Sequence, residues 1–136
     1  MEPNKKHIAL WVAALRSGVY TQGKGYLKNV KKHVTYCCLG VVCELAKTNG
    51  INVTERAYDG ANYADDDSSS PFSFNGSVYL MPTEVADWLG LSRNPEMMRE
   101  LPSGVVEEHS ATFWNDETTL SFTEIADLIE FTYLKA

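Results

Sequence analysis

The sequence predicts an α+β fold, with about four helices packed against a small antiparallel sheet in a single compact domain. Three observations carry that expectation. Apolar residues recur at helical spacing around Ile8, Leu39 and Ile125. Turn formers crowd residues 51–77 between short β-prone runs. A chain of 136 residues with 44% hydrophobic content is long enough for one core.

In chain order, Asn4 caps a first helix whose Ile8, Trp11, Val12 and Leu15 fall at i, i+3, i+4 and i+7, and Gly18 stops it. Arg16 falls in the last turn, where the helix dipole favours a cation. The stretch GVYTQGKGYL, with Gly18, Gly23 and Gly25, reads as an exposed loop or tight hairpin. VTYCCLGVVCELAKTNG starts β-like and passes into a helix with Leu39, Val42, Cys43 and Ala46 on one face, closed by Asn49 and Gly50. That helix is expected to be the most buried element.

Residues 51–77 read as a flexible, loop-rich insertion with short strands. SVYLMP predicts a strand ending at Pro82, and the sheet is expected to form from this loop-rich middle and the segment near Val78 to Leu80. TEVADWLGL predicts a short helix capped by Thr83, stopped by Gly90, with Val85, Trp88 and Leu89 inward. Residues 92–120 show no decisive pattern. SFTEIADLIEFTYL closes the chain as a core helix, with a capping box at Ser121 and Glu124 ahead of Ile125, Leu128, Ile129 and Tyr133.

Charge is distributed unevenly. Residues 1–33 hold seven Lys or Arg and one acid, a net +6, whereas residues 34–136 hold five bases and seventeen acids, a net −12. The basic segment would attract a small phosphorylated ligand, while the acidic remainder disfavours duplex nucleic acid. No stretch has the roughly 20 apolar residues of a membrane span, and the N-terminal residues lack a signal-peptide cleavage pattern. The expected compartment is the cytoplasm, where reduced Cys37, Cys38 and Cys43 fit.

The QGKG loop is the first candidate site. Gly23 and Gly25 around Lys24 could turn backbone N–H groups toward an anion, with Gln22 beside them and Tyr20 and Tyr26 offering faces for a base. Neither a Walker A pattern nor G-x-G-x-x-G is present. In FWND, Trp114 could stack on a ligand and Asn115 or Asp116 could hydrogen-bond it, against the plainer reading of a core tryptophan before a turn.

The cysteines with His33 give H-x3-C-C-x4-C, which does not match the paired spacing that zinc uses. Burial as structural thiols is the expectation, ahead of a helix-activated nucleophile. His7, His33 and His109 read as surface residues, and Asp65, Asp66 and Asp67 lack the alternation of a calcium loop. Glu107, Glu108, Asp116 and Glu117 have nothing that fixes an acid/base separation. No metal, cofactor or catalytic residue is assigned.

WVAALRSGVYTQGKGYL, YCCLGVVCELA, MPTEVADWLGL and LSFTEIADLIE resemble a group of small proteins encoded by bacteriophages and prophages, in which W-x-x-ALRSG-x-Y-x-QG-x-G-x-L and CCLGV-x-C recur. The likeness covers the chain apart from about 51–77. It implies a viral origin, action in the host cytoplasm, and a counter-defence, host-takeover or accessory role.

The expected function is therefore sequestration, without cleavage, of a small phosphorylated signalling nucleotide of the cyclic dinucleotide or cyclic ADP-ribose type. The binding residues would be Arg16, Tyr20, Gln22, Gly23, Lys24, Gly25, Tyr26, Trp114 and Asn115, in a pocket at a homo-oligomer interface. The alternatives are a small nucleotide-cleaving or cysteine-dependent enzyme, and a protein inhibitor of a host factor.

Overall fold

The computed structural model describes residues 2–30, 32–58 and 70–135. Five α-helices and two antiparallel sheets enclose one core among these residues. The aspartate run at 65–67 and much of the predicted 51–77 loop lie outside the described residues.

Helix α1 (Lys5–Arg16) buries Ile8, Trp11, Val12 and Leu15, the predicted stripe, and the Asn4 side chain accepts the His7 N–H at 3.0 Å. Gly18 lies just beyond its end at φ +77°, where a non-glycine residue would be strained. Residues 17–27 then run as a loop into the hairpin β1 (Lys28–Val30) and β2 (Val34–Tyr36).

Helix α2 (Cys38–Thr48) crosses beneath that hairpin. It buries Cys38, Leu39, Gly40, Val41, Val42, Cys43 and Ala46, a wider face than periodicity alone suggests. Gly40 makes this possible. A Cβ at that position would lie 1.7 Å from the Leu27 carbonyl oxygen, so helix and chain touch backbone to backbone.

Strands β3 (Glu55–Ala57) and β4 (Ser70–Phe74) complete the first sheet in the order β2-β1-β4-β3, all neighbours antiparallel. The predicted strand at residues 77–82 is replaced by a bridge at Ser77 and irregular chain, whose Val78 carbonyl accepts the Leu27 N–H. The β1–β2 hairpin takes the place in the sheet that was expected for Val78 to Leu80.

Helix α3 (Thr83–Leu89) has Pro82, not Thr83, at its N-cap, because Thr83 already has helical geometry. Gly90 ends it at φ +72°, and a Cβ there would lie 2.0 Å from the Glu2 carbonyl oxygen. The N-terminal residues thus cross directly over this cap, tied by Asn4 N–H to Leu89 C=O at 2.8 Å. Trp88 is half-buried, stacked on His7 at a ring distance of 4.2 Å.

Residues 92–120, undecided in sequence, form β5 (Glu96–Glu100), β6 (Val106–Ser110) and α4 (Ala111–Asp116). Helix α5 (Phe122–Ile129) carries the predicted capping box and buries Phe122, Ile125, Ala126, Leu128 and Ile129. The chain widens into a π-helical turn over Glu130–Leu134. At that turn the Thr132 hydroxyl donates to Leu128 C=O and accepts the Met98 N–H, holding it against β5.

Candidate functional site

The glycine loop comes together with the end of α4. The Asn115 side chain, 0% exposed, is the centre of the junction. Its Oδ1 accepts from Gln22 Nε2 and from the Cys38 N–H, both at 3.2 Å. Its Nδ2 donates to Gly23 C=O at 2.9 Å and to Asp116 Oδ1 at 2.8 Å. Cys37, at the N-cap of α2, offers no side-chain acceptor, so Asn115 supplies the cap from another helix.

This network spends donors that the anion-nest expectation needs. The Gly23 N–H donates to Tyr36 C=O at 2.7 Å, and the Gly25 N–H to Asp116 Oδ1 at 3.0 Å. Gln22 Nε2 also donates to Leu120 C=O at 3.0 Å. The glycines therefore hold the loop's shape. At Gly23 a Cβ would meet the Thr35 side chain at 2.6 Å, and Gly25 sits at φ +87°.

Three other predicted ligand residues have structural work. Arg16 Nη2 bonds Asp127 Oδ1 at 2.7 Å and Glu130 Oε1 at 3.1 Å, tying α1 to the chain's last helical turns. Trp114 is 1% exposed, its Nε1 donates to Met97 C=O at 2.9 Å, and its ring meets Arg99, His109 and Phe113. That leaves it packed in the core, the plainer of the two readings of FWND. Tyr20 lies edge-on to Tyr36 at a ring distance of 5.3 Å.

Two predicted residues keep an open aspect. Lys24 is exposed, its Nζ donating to the Thr118 carbonyl at 3.3 Å. Tyr26 stacks on Tyr79 at a ring distance of 5.5 Å and an interplanar angle of 22°, and Tyr79 is 55% exposed. An aromatic platform therefore flanks the lysine-bearing loop. Tyr79 sits in the stretch read as a strand, where nothing local pointed to a partner fifty residues back.

A second cluster had no sequence signal because its members come from β1, β2, α2 and β3. Lys28 Nζ bonds Glu44 Oε2 at 3.3 Å and also Glu55; Lys47 Nζ bonds Glu44 and Glu55, each at 2.8 Å. The Tyr36 hydroxyl donates to Glu44 Oε2 at 2.9 Å. Burial pushes the Glu44 carboxyl up, but hydrogen bonds from Lys47 and Tyr36 and the nearby lysine charges outweigh it and hold it below the usual range. Burial and the Glu44 carboxylate push the Tyr36 phenol well up. Every charge is matched, so the cluster is a brace joining sheet to helix.

Cys37, Cys38 and Cys43 are buried, and burial pushes all three thiols up, Cys37 to about 12. Near neutral pH they are protonated and shielded, unlike a nucleophilic cysteine. His109 stacks on Phe113 at 3.9 Å and His7 Nδ1 lies 2.7 Å from Trp88 C=O, so two of the three histidines are half-buried rather than superficial. Among the described residues, no group of three or more His, Cys, Asp or Glu side chains is placed to hold a metal ion, and no helix is long and apolar enough to cross a membrane.

A family model described as "Domain of unknown function (DUF8296)" matches residues 2–133. No curated protein and no solved structure matches the chain.

Proposed function

The chain belongs to the DUF8296 family, and from its resemblance to phage-encoded proteins together with the geometry of the glycine loop we propose that it is a phage-encoded counter-defence protein that binds and sequesters a small phosphorylated host nucleotide without cleaving it. One observation carries this reading: exposed Lys24 stands on a loop whose next aromatic, Tyr26, forms a stacked platform with exposed Tyr79. A base packs against the exposed part of this aromatic pair while Lys24 meets the phosphate. Arg16, Gly23, Gly25, Trp114 and Asn115 support the loop and the core around it. Half of Tyr79 is exposed at the surface, where a second copy of the chain would close the site over a bound nucleotide. The buried, protonated thiols and the matched ion network support binding over turnover.

The test is calorimetric titration with cyclic dinucleotides, cyclic ADP-ribose isomers and ATP, followed by chromatography of the recovered ligand. One of these binds and is recovered intact, and Lys24→Ala and Tyr79→Ala each weaken it about fivefold or more, as stacking and charge contacts of about 1–3 kcal/mol require. Recovery of a cleaved product, or affinity indifferent to both substitutions, overturns the reading.

A further inference from the structure

Among the described residues, the β5–β6 hairpin is open along one side. Its register pairs Glu96 with Ser110, Met97 with His109, Met98 with Glu108, Arg99 with Glu107 and Glu100 with Val106. The pairs just beyond the strands are hydrogen-bonded, Leu101 N–H to Val105 C=O at 2.8 Å and Ala111 N–H to Pro95 C=O at 2.9 Å. Antiparallel ladders alternate, so Arg99–Glu107 and Met97–His109 exchange backbone bonds while Glu96, Met98, Glu100, Val106, Glu108 and Ser110 point their backbone groups outward.

The two outward edges are treated differently. On β5 the Met98 N–H donates to Thr132 Oγ1 at 2.8 Å and Glu96 C=O accepts from the Tyr133 hydroxyl at 2.5 Å, so the C-terminal turn covers that edge. On β6 no further strand pairs, and among the described residues the outward backbone groups of Val106 and Glu108 have no hydrogen-bond partner. Val106 is 48% exposed, and neighbouring Val105 58%. Neither a proline nor a lysine guards this edge, as either would to prevent strand addition.

Charge states what would add to it. Alternation puts Glu96, Met98, Glu100, Val106 and Glu108 on one face of the hairpin. On the opposite face Glu107 is neutralised by Arg99 at 2.6 Å, whereas Glu96, Glu100 and Glu108 have no ion-pair partner among the described residues. A second copy adding β6 to β6 would bring Glu108 and its neighbours against their own kind, which is unfavourable. We propose that the β6 edge docks an extended, basic segment of a partner protein by strand addition, its main chain pairing Val106 and Glu108, with an apolar side chain against Val106 and a Lys or Arg against Glu108.

The probe is a fluorescein-labelled nine-residue peptide with threonine at odd positions and valine and lysine in turn at even ones, titrated by anisotropy into the full chain. Saturable binding is expected, weakened tenfold or more when the peptide's valines are N-methylated and lost when lysine is replaced by glutamate. Val106→Pro removes an N–H that no internal bond uses, so the protein keeps its melting temperature and loses the peptide. Glu108→Lys weakens binding at least fivefold. No binding at all, equal binding of the N-methylated peptide, or full binding by Val106→Pro overturns the proposal. So does sedimentation showing a dimer that Val106→Pro dissociates, because the edge would then be occupied by a second copy.

Discussion

Asn115 caps a helix that it does not belong to: its Oδ1 accepts the Cys38 N–H at 3.2 Å, at the start of α2, from a position 77 residues away. The same side chain fastens the glycine loop through Gly23. Fold and candidate site therefore share one buried amide.

Asn115→Ala leaves the Cys38 N–H, the Gly23 carbonyl and Gln22 without their buried partner. At about 1–3 kcal/mol for each stranded group, a total loss near 3 kcal/mol is expected, lowering the melting temperature by about 10 °C. Calorimetry checks it; a shift below about 3 °C would mean water replaces the amide.

Gly40→Ala forces a Cβ into the Leu27 carbonyl, a backbone atom fixed by the start of β1 rather than the end of a flexible side chain. A cost of about 3 kcal/mol or more is expected, against about 1 kcal/mol for Gly50→Ala, where φ is +88° and nothing lies within 4 Å. Denaturant unfolding of the two variants side by side measures the difference.

Acid weakens the brace. The Glu44 carboxyl is held below its ordinary value of 4.5, so the stability it contributes is present above that value and is lost as pH falls through the lower folded value. The melting temperature should be flat near neutrality and fall below about pH 4.5, with a shallower fall in Glu44→Gln, which begins less stable. Equal acid slopes in the two proteins would remove Glu44 from the account. Lys47, raised to about 12 chiefly by its hydrogen bonds to Glu44 and Glu55, acts in the opposite sense: its contribution is complete below 10.5 and is lost as pH rises toward 12.

Arg16→Ala separates support from binding. The arginine's partners Asp127 and Glu130 are well exposed, so the substitution should cost no more than about 1 kcal/mol. Nucleotide affinity should be unchanged. A tenfold loss of affinity with unaltered melting would return Arg16 to the ligand.

Native protein should resist iodoacetamide at all three cysteines and label fully in denaturant, because burial both hides the thiols and keeps them protonated. Mass spectrometry of native protein modified at Cys37 would reopen the nucleophile reading.

Sequence by itself determined the elements whose signals are local. The Ile8, Trp11, Val12, Leu15 stripe, the Ser121–Glu124 capping box and the left-handed stops at Gly18 and Gly90 each depend on neighbours within a turn or two, and each is found where spacing placed it. The cysteine-rich helix was legible as buried for the same reason. Tertiary structure decided which face of each residue remained for a ligand. Asn115 and Asp116 reach the QGKG loop across more than 90 residues, Lys28 finds Glu55, Tyr79 finds Tyr26, and Thr132 covers one edge of β5 while, among the described residues, β6 pairs with β5 alone. A hydrogen-bond donor is spent or free according to what packs beside it, and periodicity along a chain carries no record of partners that only folding brings near.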